Sequence, residues 1–180
     1  QLEKVAYNAL PGGLTHDIKG LQYYQQSNQL ISKYGYYGFG QNYDNGNMPG
    51  PYSGYGCCCY NFHMGWPYFV KSMWAATYDK GLAVMAYGPS TVTALVGEGK
   101  QVIIREMTDY PFDETLTFTL TTSEDVAFPL KLRIPAWCDN PQVKINAEAL
   151  SDVIPGEFYA INRTWKNNDV VTVNFPMRIK

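Results

Sequence analysis

Three consecutive cysteines, Cys57, Cys58 and Cys59, are the residues of this sequence best suited to chemistry. Neighbouring cysteines rarely bridge each other, because a disulfide needs Cα atoms about 4.4–6.8 Å apart and the short ring is strained. Cys138 is the only other cysteine in the 180 residues, so the sequence does not predict a disulfide scaffold. Thiolates side by side in a loop just before a helix are better suited to holding zinc, which binds Cys sulfur and usually takes four ligands.

The residues alone leave two interpretations of this cluster open. Free cysteine is often a small buried hydrophobe, in which case the three side chains would be inert. Three consecutive cysteines directly after Gly54-Tyr55-Gly56 favour metal binding or nucleophilic chemistry. The N-terminus of a helix that follows them would favour the thiolate form of the cysteines. His16 is expected at the surface in a turn and His63 near the helix start, so neither completes a zinc site by spacing. The absence of a Cys-x-x-Cys pattern argues against a thiol redox protein.

Helices are predicted on both sides of a long polar tract. Apolar residues at helical spacing predict a helix over Gln1–Leu10, which begins without an N-cap residue and therefore suggests a chain that starts inside a longer protein. A broad apolar face predicts a second helix over Asn61–Thr77. Pro67 requires that this helix either begins near Gly65 or Trp66 or is kinked.

The segments between these helices give a weaker pattern. Leu21–Ile31 is predicted to form one or two short strands. Lys33–Gly56 is rich in Gly, Tyr, Asn and Pro and has no sustained period, which is typical of a functional or disordered stretch. Its many tyrosines favour an ordered loop along a surface.

The second half of the sequence is predicted to be entirely β. Leu116, Phe118 and Leu120 alternate with threonines, and Leu130, Leu132 and Ile134 alternate with basic residues, as in strands with one buried face. About eight short strands separated by regular turns predict a β-sandwich. These strands cover 81–87, 91–96, 101–107, 115–120, 130–134, 143–146, 157–161 and 169–175.

Composition limits the classes of partner. Fourteen basic against sixteen acidic residues give a formal charge of −2, which argues against a nucleic-acid-binding protein. The longest apolar run, 82–87, is far shorter than the ~20 residues needed to cross a bilayer. Fifteen Tyr, eight Phe and four Trp would suit the C–H faces and hydroxyl rims of sugar rings, although Tyr also fills β-rich surfaces.

The run GYGCCCYNFHMGWPYF at 54–69 resembles the paired-cysteine motif of glycoside hydrolase family 127, the β-L-arabinofuranosidase-like proteins. The segments LEKVAYNALPGG, GLAVMAYGPSTVTA, TDYPFDETLTF and LKLRIPAWC resemble the same family in the expected order. The resemblance implies a mixed α and β chain in two parts. Residues 1–78 would be the truncated end of an α/α-barrel catalytic domain, and residues 79–180 an antiparallel β-sandwich.

Alignment on Asn61 places the two cysteines of the family at Cys57 and Cys58. The resemblance implies that Cys57 is both the nucleophile and a zinc ligand, that Cys58 is a zinc ligand, and that Cys59 stands where the family usually has another residue. A Glu-x-Cys pair that completes the zinc site in the family is absent from this sequence, and the acid/base glutamate has no match. The chain alone is therefore expected to bind zinc weakly and to be inactive.

The substrate implied by the resemblance is an L-arabinofuranoside or a related sugar. The rival hypothesis is a non-catalytic carbohydrate-binding or structural β-sandwich with inert cysteines. Cellular location stays open, because reduced neighbouring thiols fit the cytoplasm whereas zinc protection would permit a secreted or periplasmic site.

Overall fold

The computed structural model describes residues 1–25, 32–33, 46–51 and 53–178. The chain forms two compact units, Gln1–Val70 and Lys71–Lys180. The predicted domains, 1–78 and 79–180, have their boundary slightly later along the sequence. The assignment of the first part to the end of an α/α-barrel stays a prediction.

The first unit begins with helical residues, as the apolar spacing predicts. Helix α1 (Leu2–Lys4) continues through a π-helical turn (Val5–Ala9) into α2 (Leu10–Gly12). Of the predicted strands over Leu21–Ile31, the described part contains only an isolated bridging residue: Leu21 pairs with Leu14 and with Gly50. The remainder of those strands, most of the Tyr-rich tract and Tyr52 lie outside the described residues.

The predicted helix over Asn61–Thr77 is divided and ends early. Helix α3 (Gly56–Asn61) leads through a 3₁₀ turn (Phe62–Met64) into α4 (Gly65–Lys71). Pro67 therefore lies in the first turn of α4, where its missing N–H costs no helical hydrogen bond. The prediction was wrong beyond Lys71, because Trp74–Ala76 pair with Leu82–Val84 as strands and this sheet pairing overrides the helical spacing.

The second unit is a two-sheet β-structure, and the mixed α and β fold class is confirmed. One sheet has the order β1-β2-β6-β9 and the other the order β3-β4-β5-β10-β7-β8. The strands are β1 (Trp74–Ala76), β2 (Leu82–Val84), β3 (Ser90–Val96), β4 (Lys100–Met107), β5 (Thr115–Thr122), β6 (Val126–Arg133), β7 (Gln142–Ile145), β8 (Glu148–Leu150), β9 (Phe158–Trp165) and β10 (Val170–Asn174).

One strand pair departs from the predicted antiparallel arrangement. Strands β2 and β6 pair in parallel, whereas every other pair among the described strands is antiparallel. The chain leaves the first sheet after β2 and forms β3, β4 and β5 in the other sheet before it returns as β6. A long crossover of this kind permits parallel pairing, which a short hairpin does not.

The core of the second unit follows the predicted alternation. Leu116, Phe118 and Leu120 of β5 are buried, as are Leu130 and Leu132 of β6. The fully buried Trp165 donates a hydrogen bond from Nε1 to the carbonyl oxygen of Phe128 at 2.9 Å, so its polar edge is satisfied inside the core. None of the described helices is long and apolar enough to span a bilayer.

Candidate functional site

The paired cysteines lie on the first turn of α3. Tyr55 is the extended N-cap residue, and the amides of Cys58 and Cys59 both donate to its carbonyl oxygen, at 3.1 and 3.3 Å. The expectation of a loop just before the helix was therefore wrong by a few residues. Asn61 donates from Nδ2 to the carbonyl oxygen of Cys57 at 2.7 Å, which ties the end of the helix to the turn that carries the thiols.

Cys57 and Cys58 form an exposed thiol pair. Their Sγ atoms are 3.9 Å apart, and neither residue is in a disulfide. Two sulfurs bound to one tetrahedral zinc, each at about 2.3 Å, are separated by about 3.8 Å. The pair therefore fits two of the four ligand positions of a zinc ion.

Cys59 is directed to a different neighbour. Its half-buried thiol donates to the carbonyl oxygen of Ser53 at 3.2 Å. Ser53 is almost fully buried, and its hydroxyl accepts from the Tyr23 amide at 3.1 Å and donates to the Gly46 carbonyl oxygen at 3.3 Å. The third cysteine thus fixes the segment before α3 and does not join the exposed pair.

Tyr23 is a neighbour of the pair that the sequence reasoning missed. Its hydrogen bond with Cys58, followed by partial desolvation and the charges of Cys58, Tyr24 and Cys57, raises the pKa of the Tyr23 phenol to about 12. The Tyr23 ring also lies 5.4 Å, between centroids, from that of Tyr55. Because more than thirty residues separate Tyr23 from Cys58, no local spacing in the sequence indicated this contact.

Gly54 allows the Tyr23 ring to approach the helix start. Its φ is +62°, and a Cβ atom built there would lie 2.2 Å from a carbon of the Tyr23 ring. A larger residue at this position would be strained by its backbone conformation and would displace the ring. The glycine before the cysteines is therefore needed for the contact between Tyr23 and the site.

Some of the other residues considered from sequence line a cavity whose described lining does not include Cys57 or Cys58. His63, Trp66 and Cys59 line an apolar cavity of about 320 Å³ together with Leu14, Ile18, Lys19, Gly20, Leu21, Gly50, Pro51 and Phe62. His16 is exposed in a turn, as expected. Cys138 is fully buried and free of disulfides.

Only the two ligands of the thiol pair are available for a zinc ion in the described part of the chain. Within residues 1–25, 32–33, 46–51 and 53–178, no group of three or more His, Cys, Asp or Glu side chains is placed to hold a metal. A complete tetrahedral site would need further ligands from elsewhere.

The sequence of the second unit identifies the family. A profile described as the middle domain of the GH127 beta-L-arabinofuranosidases matches residues 81–177, which is more than half of the chain. The chain belongs to glycoside hydrolase family 127. The matched range lies within the two-sheet unit and contains β2 to β10, whereas β1 precedes it.

Solved structures of similar fold match nearly the whole chain, the first unit included. The crystal structure of Ara127N-Se, a GH127 beta-L-arabinofuranosidase from Geobacillus stearothermophilus T6, has a TM-score of 0.77 and 26% identity over 99% of this chain. A structure named as a glycoside hydrolase has a TM-score of 0.77 and 23% sequence identity to this chain. A structure named as a GH127 beta-arabinofuranosidase has a TM-score of 0.74 and also 23% sequence identity. Each of these two matches covers 98% of this chain.

The chain spans 28% of the length of each of these three structures. None of the curated protein sequences matches it. Family membership is therefore carried by the profile over the second unit, and the two structures at 23% identity bear on the fold alone.

Proposed function

We propose that the protein acts as a retaining glycoside hydrolase on terminal β-L-arabinofuranosides, with Cys57 as its nucleophile. The observation that carries this proposal is the exposed thiol pair, whose sulfurs are 3.9 Å apart on a helix of a GH127 family member. Two of the similar structures are of proteins named as arabinofuranosidases, which supports the choice of sugar.

The reaction has two steps of nucleophilic substitution at the anomeric carbon. In the first, the Cys57 thiolate attacks that carbon, the bond to the leaving oxygen breaks, and an acid/base carboxyl group protonates the leaving oxygen. In the second, water attacks the same carbon, gives its proton to the carboxylate and releases Cys57 as a thiolate. Two inversions yield net retention, with sulfur in the place of the usual carboxylate nucleophile.

Cys57 and Cys58 would hold a zinc ion between them. When bound, zinc supplies positive charge that favours the ionised form of a thiol whose free pKa is about 8.5. Cys58 and α3 hold the Cys57 sulfur in a fixed direction, and orientation of a nucleophile contributes several kcal/mol to a barrier reduction. The Tyr23 phenol, which is protonated at neutral pH at its ordinary pKa of 10.0, provides a hydrogen-bond donor to the Cys58 sulfur, and this contact raises the pKa of the phenol further, to about 12.

The remaining zinc ligands and the acid/base glutamate belong, in this proposal, to a part of the polypeptide outside these 180 residues. The chain corresponds to 28% of each similar structure, which leaves room for them. The 180-residue chain by itself is then expected to bind zinc weakly and to hydrolyse no arabinofuranoside.

Substitution of each cysteine in the complete polypeptide tests the proposal. We expect Cys57→Ser to reduce kcat on a nitrophenyl β-L-arabinofuranoside by at least about 10⁴-fold, as loss of a nucleophile does in other hydrolases. We expect Cys58→Ser to lower zinc content and activity together. Cys59→Ser is the matched control on the same helix, because a serine hydroxyl can also donate to the Ser53 carbonyl oxygen, and it should leave both nearly unchanged.

Full activity of Cys57→Ser would overturn the assignment of the nucleophile. A complete polypeptide that contains no zinc and still hydrolyses the substrate would overturn the role of the metal.

A further inference from the structure

A small cleft in the second unit has the composition of a sugar-binding site. It has a volume of about 230 Å³ and is lined, among the described residues, by Trp137, Asp139, Asn140, Pro176 and Arg178. These residues come from the turn after β6 and from the segment after β10. None of them belongs to the thiol pair or to its surroundings in the first unit.

The aromatic wall of the cleft is both accessible and held in place. Trp137 is 37% exposed, and its ring contacts the fully buried Phe175 edge-on at 6.2 Å between centroids. An indole face partly open to solvent suits the C–H face of a sugar ring. Because Phe175 is fixed in the core, Trp137 would lose little freedom when a ring stacks on it.

The backbones on both sides of the cleft are anchored. The amides of Phe175 and Met177 donate to the carbonyl oxygen and the carboxylate of Glu114, at 2.9 and 2.6 Å. On the other side, the Ile134 amide donates to the Glu157 carbonyl oxygen at 2.8 Å, and the Cys138 amide donates to that of Pro135 at 3.2 Å. The cleft is therefore formed before any ligand binds.

The polar groups of the cleft favour a neutral ligand. Asp139 supplies acceptors, Arg178 supplies donors, and Asn140 supplies both, which matches hydroxyl groups that donate and accept. The carboxylate of Asp139 and the guanidinium of Arg178 cancel in formal charge, so the described lining of the cleft has no net positive charge to favour an anionic ligand. The volume lies below the roughly 300–1,000 Å³ of pockets for larger ligands, which limits the occupant to about one ring.

We propose that this cleft, defined by Trp137, Asp139, Asn140 and Arg178, is a non-catalytic binding site for a single neutral sugar residue. A larger open cleft of about 670 Å³ on the same unit has no aromatic ring among its described lining residues, so it offers no stacking surface. Such a site would hold a polysaccharide or glycan chain on the β-structure independently of the chemistry at Cys57.

The test is titration of the 180-residue chain with methyl β-L-arabinofuranoside, methyl β-D-xylopyranoside and methyl β-D-galactopyranoside. Binding is followed through the indole N–H resonances of the four tryptophans by NMR. We expect saturable shifts of the Trp137 resonance with at least one neutral glycoside and weaker or no shifts with galacturonic acid. Trp137→Ala is expected to weaken binding about tenfold or more, as measured by saturation-transfer signals on the sugar.

Asn140→Ala is a second variant that tests the cleft even if Trp137→Ala does not fold. Asn140 is exposed, so its truncation should leave the unit folded and still weaken binding severalfold. Tyr78→Ala is the matched control, because Tyr78 is a fully exposed aromatic residue outside the cleft, and it should bind as the unchanged chain does. Cys57→Ser should also bind unchanged, which separates this proposal from the proposed hydrolase function.

No shift of the Trp137 resonance with any of the neutral glycosides would overturn the proposal. Equal binding by Asn140→Ala and Tyr78→Ala, or stronger binding of galacturonic acid than of the neutral sugars, would overturn it as well.

Discussion

The two units of this chain place their cysteines in opposite environments. In the first unit, Cys57 and Cys58 are exposed on a short helix, whereas Cys138 of the second unit is completely buried. The same contrast holds for apolar side chains. The described part of the first unit buries few large ones and exposes Leu2, Val5, Tyr60, Met64, Tyr68 and Val70, while the second unit encloses a continuous core.

The residues that stabilise the fold and the thiols that can react therefore lie in different units of the chain. Most of the buried aromatic and branched side chains among the described residues belong to the second unit. The thiols that can bind a metal or attack a substrate lie where solvent and ligands reach them. We therefore expect changes in the second unit to affect unfolding and changes near α3 to affect chemistry.

Alkylation of the native chain with iodoacetamide should give the largest contrast between the units. Cys57 and Cys58 should react freely, whereas Cys138 should react at least about 10³-fold more slowly, because its exposure requires opening of the core. Peptide mass spectrometry over a time course measures each site. In denaturant all four cysteines should react at similar rates, and native reactivity of Cys138 close to that of Cys57 would contradict the contrast.

Truncation of Trp165 should be the most damaging of the substitutions considered for stability. Trp165→Ala removes a fully buried side chain and leaves the Phe128 carbonyl oxygen without its donor, so we expect a loss of about 3–5 kcal/mol in the free energy of unfolding. Urea denaturation followed by tryptophan fluorescence measures it. Tyr68→Ala, at an exposed position of the first unit, is the control and should change stability by no more than about 0.5 kcal/mol.

A smaller, pH-dependent effect is expected at Asp169 of the second unit. Burial opposes its ionisation, but hydrogen bonds from Asn146 and Lys166 and the charges of Arg163 and Lys166 outweigh it and lower the pKa of Asp169 from its ordinary 3.8. A lowered folded-state pKa stabilises the fold above about pH 3.8, and that stabilisation is lost as the pH falls through the folded-state value.

Asp169→Asn should therefore cost about 1–2 kcal/mol at pH 7 and progressively less as the pH falls below 3.8. Urea denaturation at several pH values measures the difference, with the exposed Asp125→Asn as a control. A cost that does not change between pH 7 and pH 3 would show that the ionised form of Asp169 contributes nothing to stability.

The sequence predicted the second unit better than the first. Strict alternation, as at Leu116, Phe118 and Leu120, reports which face of a strand is buried, so most strands could be located. Strand β1 was missed because Trp74–Ala76 continue a helical spacing and only their pairing with β2 makes them a strand. Parallel pairing of β2 with β6 is a property of the whole topology and has no local signal.

Only the part of the candidate site that is continuous in the sequence could be predicted. The motif around Cys57, Cys58 and Asn61 could be recognised in the sequence, but the contact of Tyr23 with Cys58 joins residues that are distant along the chain. The different direction of Cys59 depends on the Ser53 carbonyl oxygen, which no residue pattern reveals. The cleft at Trp137 also went unnoticed, because its two walls come from segments that are separated in the sequence by the last four strands, β7 to β10.

The most direct test of the proposed chemistry is to trap the sugar on the enzyme. The complete polypeptide is mixed with a nitrophenyl β-L-arabinofuranoside, quenched in acid during turnover and analysed by peptide mass spectrometry, while NMR records the anomeric configuration of the first product. The account predicts one anhydropentose on Cys57, none on Cys58 or Cys59, and a product of retained configuration. An adduct on a carboxylate side chain, or a product of inverted configuration, would contradict it.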